Sequence, residues 1–270
     1  MRLCVLRSGS SANCTFVEHE ATRLLIDAGG LSRRGLTSAL AEISMAFSDL
    51  KALVVTHLHS DHLNASAIGL CKDHGVPLFV HEDNQTVLDS LMNKNRTAGV
   101  RVKTFSCRCF SIGAIDFSPF VVDHDAQGIT CGFMFFPSEK PLLRVSFATD
   151  LGCFPDAMVR HFADCNCIVL ESNHDTGMLW NNPYRPRANK QRIASDTGHL
   201  SNEQAAQALV KICAASRAAP RIVVLSHLSK DHNTHSLAIA QVSSALALHG
   251  FTPEVRTAFR DRRTDFIECW

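Results

Sequence analysis

Leu53-Val54-Val55-Thr56-His57-Leu58-His59-Ser60-Asp61-His62 decides how the rest of this chain is read. An apolar run stops at Thr56, and the six positions after it hold His57, His59, Asp61 and His62. In an extended backbone alternate residues share a side, so His57 and His59 face one point, while Asp61 and His62, further on, reach a second. A lone loop histidine is ordinarily a surface residue. Four residues of metal-ligand type in six positions, directly behind an apolar strand, form the pattern of a metal site.

One such cluster cannot complete two coordination spheres, so further donors must come from distant parts of the chain. Three places offer them, each behind an apolar run: His124 after Val121-Val122-Asp123, Asp150 after Phe147-Ala148-Thr149, and His227 after Val224-Leu225-Ser226. Sheets with alternating strands and helices place their chemistry at strand ends, where loops converge. Taken singly, His124 and His227 also read as hydrogen-bonded loop histidines and Asp150 as a turn or helix-cap residue. Beside the first cluster, all three read as donors.

The surrounding pattern is β-rich at 2–7, 14–19 and 22–28, broken by Gly9-Ser10-Ser11 and the polar turn near Glu20. Alternation follows: a helix over 36–46, a strand at 52–55, a helix over 64–74, a strand at 78–80, a helix over 83–93. From about 101 to 148 strands return, carrying Phe117, Phe120, Phe133, Phe135 and Phe147. Alternation then resumes with a strand at 168–170, a helix over 201–215, a strand at 221–225 and a helix over 235–248. The same order of elements, used twice, predicts an α/β (α+β) chain whose two sheets pack face to face with helices outside, an αββα four-layer sandwich forming one domain over 1–270. The stretch from Trp180 to Arg192, with Pro183 and Pro186, reads as an exposed loop or lid.

With 46% hydrophobic and 20% charged residues the composition is that of a globular protein, which excludes a disordered or fibrous chain. A formal net charge of +1 gives no global pull toward a polyanion, so any nucleic-acid contact must come from a local patch. No run of about 18 apolar residues occurs and Met1 to Val5 does not read as a leader, so a cytoplasmic protein without membrane contact is expected. The eleven cysteines are scattered, and Cys107-Arg108-Cys109 and Cys165-Asn166-Cys167 lack the two-residue gap suited to zinc. They are read as reduced, mostly buried small hydrophobes.

The donors just described resemble the metallo-β-lactamase superfamily: His57, His59, Asp61 and His62 match its signature, and His124, Asp150 and His227 match its later ligand motifs in order. The resemblance implies one metal on His57, His59 and His124, a second on Asp61, His62 and His227, and Asp150 bridging both. Leu6 to Cys14, Leu25-Ile26-Asp27-Ala28-Gly29, Glu171 to Asp175, Gly198-His199-Leu200-Ser201-Asn202 and His227 to Asn233 are similar to one branch, the bacterial 5′-to-3′ exodeoxyribonucleases of that fold. Their motif layout is similar to the tRNA 3′-end processing endonuclease. Arg7 and Ala12 depart from the branch's glycine-rich opening, and the long insertion of the β-CASP ribonucleases is absent.

The resemblance implies a phosphodiesterase in which two divalent cations, Zn²⁺ or Mn²⁺, share a hydroxide held by Asp150, with Asp61 also in the catalytic set. It also implies that His199 protonates the leaving alkoxide and Glu171 orients His199. Asp27 reads as a supporting acid behind the histidines, and His174 as a substrate contact or a support for Glu171. Arg185, Arg187, Lys190 and Arg192 offer cations for phosphates, and Ser10, Ser11 and Asn13 offer donors for a terminal phosphate. The expected partner is nucleic acid, DNA before RNA. The alternatives are a hydrolase of small cyclic phosphodiesters, thioesters or lactones, and an inactive metal-bound scaffold. Oligomeric state is not legible.

Overall fold

The computed structural model describes residues 1–95, 97 and 99–269. The first sheet starts with strands β1 (Arg2–Arg7), β2 (Cys14–His19) and β3 (Thr22–Ile26), an antiparallel meander. Strands β4 (Ala52–Val54), β5 (Leu78–His81) and β6 (Val102–Phe105) then add in parallel. The helices between them are α1 (Arg33–Ala41), α2 (Ala65–His74) and α3 (Gln85–Asn95).

The second sheet repeats the plan. Strands β7 (Phe110–Ile112), β8 (Ile115–Val122), β9 (Thr130–Pro137) and β10 (Val145–Ala148) are antiparallel. Strands β11 (Cys167–Glu171), β12 (Ile222–Ser226) and β13 (Glu254–Thr257) continue in parallel. Helices α4 (Val159–Phe162), α5 (Thr176–Asn181), α6 (Arg187–Ile193), α7 (Asn202–Ala215) and α8 (His235–Leu248) belong to this half, and a last strand β14 (Ile267–Glu268) returns to pair with β1.

Three apolar layers explain why the central strands read as nearly unbroken hydrophobic runs. Leu3, Val5, Val17 and Val54 meet Phe117, Phe133, Phe135 and Val169 between the sheets. The alternate residues Cys4, Leu6, Phe16 and Leu53 face α1 and α2. On the far side Ile168, Leu170 and Val223 meet Leu209 and Ile212 of α7 and Val242 of α8. A strand covered on both faces has no reason to alternate polar residues, which is the property of parallel sheets packed under helices. At about 25 cal/mol per Å² of apolar surface removed from water, such strands stabilise the sandwich from both sides. Eight of the eleven cysteines are buried in these layers; Cys107 and Cys109 are exposed.

Several boundaries differ from the sequence reading. Helix α1 starts at Arg33, because the Ser32 side chain accepts from the Gly35 N–H and caps it, and it stops at Ala41. Trp180 to Arg192 is not an extended loop: it contains the end of α5 and most of α6, which Pro186 precedes. Strands β13 and β14 were not anticipated. Arg7 points away from the strand ends to an ion pair with Glu42, so its departure from glycine leaves the donors untouched.

Candidate metal centre

All the anticipated donors sit beyond carboxyl ends of strands. His57, His59, Asp61 and His62 follow β4, His124 follows β8, Asp150 follows β10 and His227 follows β12. Three left-handed backbone positions help to aim them: Asp27 (φ 58°), Asp150 (φ 58°) and His227 (φ 56°) each leave a strand by a sharp turn. A non-glycine residue in this region costs on the order of 1 kcal/mol and persists where its surroundings over-determine it. Here the cost is offset by buried hydrogen bonds. The backbone N–H of His227 donates to Ser8 Oγ at 2.8 Å, and that of Asp27 to Val54 O at 2.8 Å.

Ring nitrogens converge with too few hydrogens to separate them. His57 Nε2 lies 3.1 Å from His59 Nδ1, which lies 3.3 Å from His124 Nε2. Burial first, and then the neighbouring histidines, hold His57 well below the usual imidazole range and lower His59; burial also lowers His124. All three are therefore neutral near pH 7, and each presents a lone pair toward the same point. Nothing in the protein satisfies three such lone pairs together, whereas a divalent cation does.

A second group lies beside it. His62 Nε2 is 3.0 Å from Asp150 Oδ2 and 3.6 Å from Asp61 Oδ2, and His227 Nε2 is 3.5 Å from Asp150 Oδ1 and 3.9 Å from Asp61 Oδ2. Burial opposes charge on His62 and His227. The Asp150 carboxylate, with Asp27 and Glu171 behind, outweighs it, holding His62 well above the ordinary value and pushing His227 up to about 10. Reciprocally, and against its own burial, Asp150 is held well below the carboxylate range by His227 and His62.

Two polar atoms at this junction, Asp150 Oδ2 and His227 Nε2, are buried with no partner outside the donor groups themselves. Such orphans cost about 1–3 kcal/mol each unless something else occupies the site. The donor atoms of His57, His59 and His124, of His57, His62 and Asp150, and of Asp61, His62 and His227 lie within 4.8 Å of one another in each group. Orphaned atoms and an all-nitrogen-and-carboxylate donor set fit divalent metal ions.

Behind the donors, carboxylates orient the rings. Asp27 Oδ2 takes His62 Nδ1 at 2.8 Å and the Thr56 hydroxyl at 2.9 Å, the supporting role anticipated for it. Glu171 Oε1 takes both His199 Nδ1 at 2.9 Å and His227 Nδ1 at 2.7 Å, while its Oε2 accepts from Leu151 N. Although burial opposes its charge, His199 and His227 keep Glu171 ionised, at about 2. Occupied at Nδ1, the His199 ring has Nε2 free, and it packs between His124 and His227.

The anticipated substrate contacts fare unevenly. Lys190 is buried and donates to Trp180 O at 2.8 Å, so it holds α6 against α5 and is no phosphate contact. Arg185 pairs with Asp231, and Arg192 forks onto Asp125, leaving Arg187 exposed on α6. Asn13 is buried, its amide 2.9 Å from His62 Nε2 and 3.3 Å from Asp61 Oδ2, so it supports the donors. Ser10 and Ser11 are exposed at the rim. His174 is 2% exposed, and its backbone bridges to Ser201 before α7. Sequence reasoning missed Thr56, which contacts Asp27 and His62, and Asp125, which holds Arg192.

Comparison with known proteins agrees with this geometry. Residues 22–228 match the family described as Beta-lactamase superfamily domain. Exodeoxyribonuclease WalJ of Streptococcus pneumoniae serotype 2 (strain D39 / NCTC 7466) is 33% identical over 244 residues, 90% of this chain and 87% of that protein. Exodeoxyribonuclease YycJ of Bacillus anthracis is 32% identical over 271 residues, covering 98% and 96% of the two chains. Among solved structures, the metallo-beta-lactamase fold protein YhfI from Bacillus subtilis superposes with a TM-score of 0.72 at 15% identity, over 98% of this chain and 99% of that one. Human tRNase Z, short form, superposes with a TM-score of 0.66 at 16% identity over the whole of both chains. The αββα sandwich, the donors at its strand ends and these relatives together show that the chain belongs to the beta-lactamase superfamily.

Proposed function

We propose that this protein is a two-metal phosphodiesterase that digests DNA from a 5′ end. The observation that carries the reading is the convergence of seven donors beside a buried carboxylate, Glu171, that holds His199 by Nδ1 at the same centre. The exodeoxyribonuclease names of relatives aligned over most of the chain support DNA as substrate.

In this reading His57, His59 and His124 hold one cation, Asp61, His62 and His227 hold the other, and Asp150 serves both. Zn²⁺ and Mn²⁺ both suit the set. Bound there, divalent cations supply a nucleophile at neutral pH and Lewis-acid stabilisation of charge on a phosphoryl oxygen. The chain's own part is orientation and proton transfer. Asp27 and Thr56 fix the tautomer of His62. Glu171 accepts from the Nδ1–H of His199 and turns Nε2 toward the leaving oxygen, to which the ring hands a proton from Nε2.

Residues 1–270 act as one unit, since both sheets share a core. No helix among the described residues is long and apolar enough to cross a membrane. Buried, unpaired thiols favour a cytoplasmic setting.

A second reading, a small-ester hydrolase, draws on the ion pairs of Arg185 and Arg192, which remove two of the expected phosphate contacts. The test incubates metal-quantified protein with single- and double-stranded DNA and matched RNA, beside His59→Ala. Progressive shortening of DNA by the wild type alone is expected, with affinity falling steeply as salt rises. Two bound metals without cleavage of any polymer would favour the small-ester hydrolase.

A further inference from the structure

The loop from Ser106 to Cys109 joins the edge strand of one sheet, β6, to the edge strand of the other, β7. Ring stacking closes its base: Phe105 and Phe110 lie 4.9 Å apart at an interplanar angle of 19°, and Phe110 stacks in turn on Phe117 at 5.1 Å. Within the loop the Arg108 N–H donates to Ser106 Oγ at 3.3 Å, and the chain bends at Cys107 and Arg108. Cys107 and Cys109 are thus held on a bent, anchored loop, and both are exposed. Residues two apart are separated by at most about 7 Å. The bend brings them toward the roughly 4.4–6.8 Å between Cα atoms that a disulfide spans.

The two thiols differ in their surroundings. Cys107 Sγ lies 3.7 Å from Nε2 of His81, a buried ring at the end of β5 packed edge-on against Phe105 at 5.7 Å. His81 Nδ1 accepts from the Asp83 N–H at 3.3 Å, so the hydrogen of the neutral ring sits on Nε2 and points at the sulfur. At 3.6 Å from Nδ1, the Asp83 carboxylate is beyond hydrogen-bond range. An N–H donor supports the negative sulfur that acts as a nucleophile. No such partner reaches Cys109 among the described residues.

Burial sets other thiols apart. It pushes Cys71, Cys131 and Cys165 up to about 12 and Cys153 and Cys213 up to about 11, so these stay protonated near neutral pH. Nor is the loop a metal site: among the described residues the donor atoms of His81, Cys107 and Cys109 form no group within 4.8 Å.

We propose that Cys107 and Cys109 form a dithiol that reacts with hydroperoxides, with Cys107 as the attacking sulfur, His81 as the residue that positions and supports it, and Cys109 as the thiol that closes the disulfide. The Cys107 thiolate attacks one oxygen of hydrogen peroxide and the O–O bond breaks. Hydroxide leaves, takes up the proton that the thiol gave up, and the sulfur becomes a sulfenic acid. The Cys109 thiolate then attacks that sulfur, the S–O bond breaks, and the departing hydroxide is likewise protonated to water. In sum the two thiols lose two hydrogens and the peroxide is reduced to water. The inference is independent of the DNA-cleavage reading.

The experiment exposes the reduced, folded full-length protein to hydrogen peroxide, alkylates the remaining thiols at timed points and reads each cysteine by peptide mass spectrometry. Trypsin cuts after Arg108, so the disulfide joins two peptides, and fragmentation of the second tells Cys109 from Cys131. The wild type should lose the Cys107 and Cys109 thiols together and gain a disulfide between them. Cys109→Ser should stop at a sulfenic acid on Cys107, which dimedone traps. Cys107 in that variant should oxidise about tenfold faster than Cys109 does in Cys107→Ser. His81→Phe should remove this advantage, whereas His81→Gln, whose amide also donates, should keep most of it. The two serine variants change exposed residues only, so their comparison holds even where His81→Phe disturbs the fold. Equal rates in those two variants, a wild-type disulfide from Cys107 to Cys131, or no disulfide at all would overturn the proposal.

Discussion

The two halves of the sandwich supply the centre in different ways. The first half delivers His57, His59, Asp61 and His62 from one turn behind β4, with Asp27 from the neighbouring strand end to brace them. The second half delivers His124, Asp150, Glu171 and His227 from four separate strands, with His199 from the approach to α7. The two donor groups, each drawn from both halves, also differ electrically: burial lowers His57, His59 and His124, while the Asp150 carboxylate, against burial, raises His62 and His227. Donors drawn from one stretch of chain can be positioned by local backbone, whereas those drawn from four strands depend on the whole sheet and its strained turns.

The largest expected effect follows from the one carboxylate that serves both groups. Asp150→Ala should lower turnover of DNA and of a small diester by at least about a thousandfold, since several kcal/mol of charge stabilisation disappear. Steady-state kinetics with metal analysis checks it. A loss confined to DNA would remove Asp150 from the common chemistry. Next comes His199→Ala, which should slow DNA cleavage by about a hundredfold or more while sparing a substrate whose leaving group needs no proton, such as a p-nitrophenyl ester. Equal losses on both substrates would point to a structural role for His199.

Bracing in the first half predicts a smaller change. Asp27→Asn keeps the shape but weakens the hold on His62 and Thr56, and should reduce metal affinity by about 10–100-fold in a chelator competition. Unchanged affinity would show that Thr56 alone suffices.

The smallest effect is on stability. Burial lowers His174 to about 4, against the pull of Glu171, whereas in the unfolded chain it titrates near 6.5. The unfolded state therefore takes up a proton first, so stability should fall as pH drops from about 6.5 to about 4. In His174→Gln the slope of Tm against pH over that window should flatten. Parallel slopes would assign the dependence to other groups.

Much of this was legible before any coordinates, for a physical reason. A donor cluster directly behind an apolar strand needs no long-range information, and the doubled order of strands and helices predicts two sheets because each must cover its apolar faces. His124, Asp150 and His227 were legible because each also ends an apolar run. What escaped depends on tertiary neighbours. Lys190 has the sequence signature of a solvated cation, yet its ammonium finds the Trp180 carbonyl inside the α5–α6 turn. Asn13 reads as a turn residue, yet its amide faces His62. The left-handed conformations of Asp27, Asp150 and His227 carry no glycine to announce them.

The central claim is that two groups of donors hold two cations through a shared Asp150. Metal stoichiometry of the wild type, His59→Ala and Asp61→Ala, measured on folded protein by native mass spectrometry with elemental analysis, tests it most directly. The account predicts two divalent ions per wild-type chain and loss of one in each variant. A wild type that binds none or a single ion, or variants that both keep two, would contradict it.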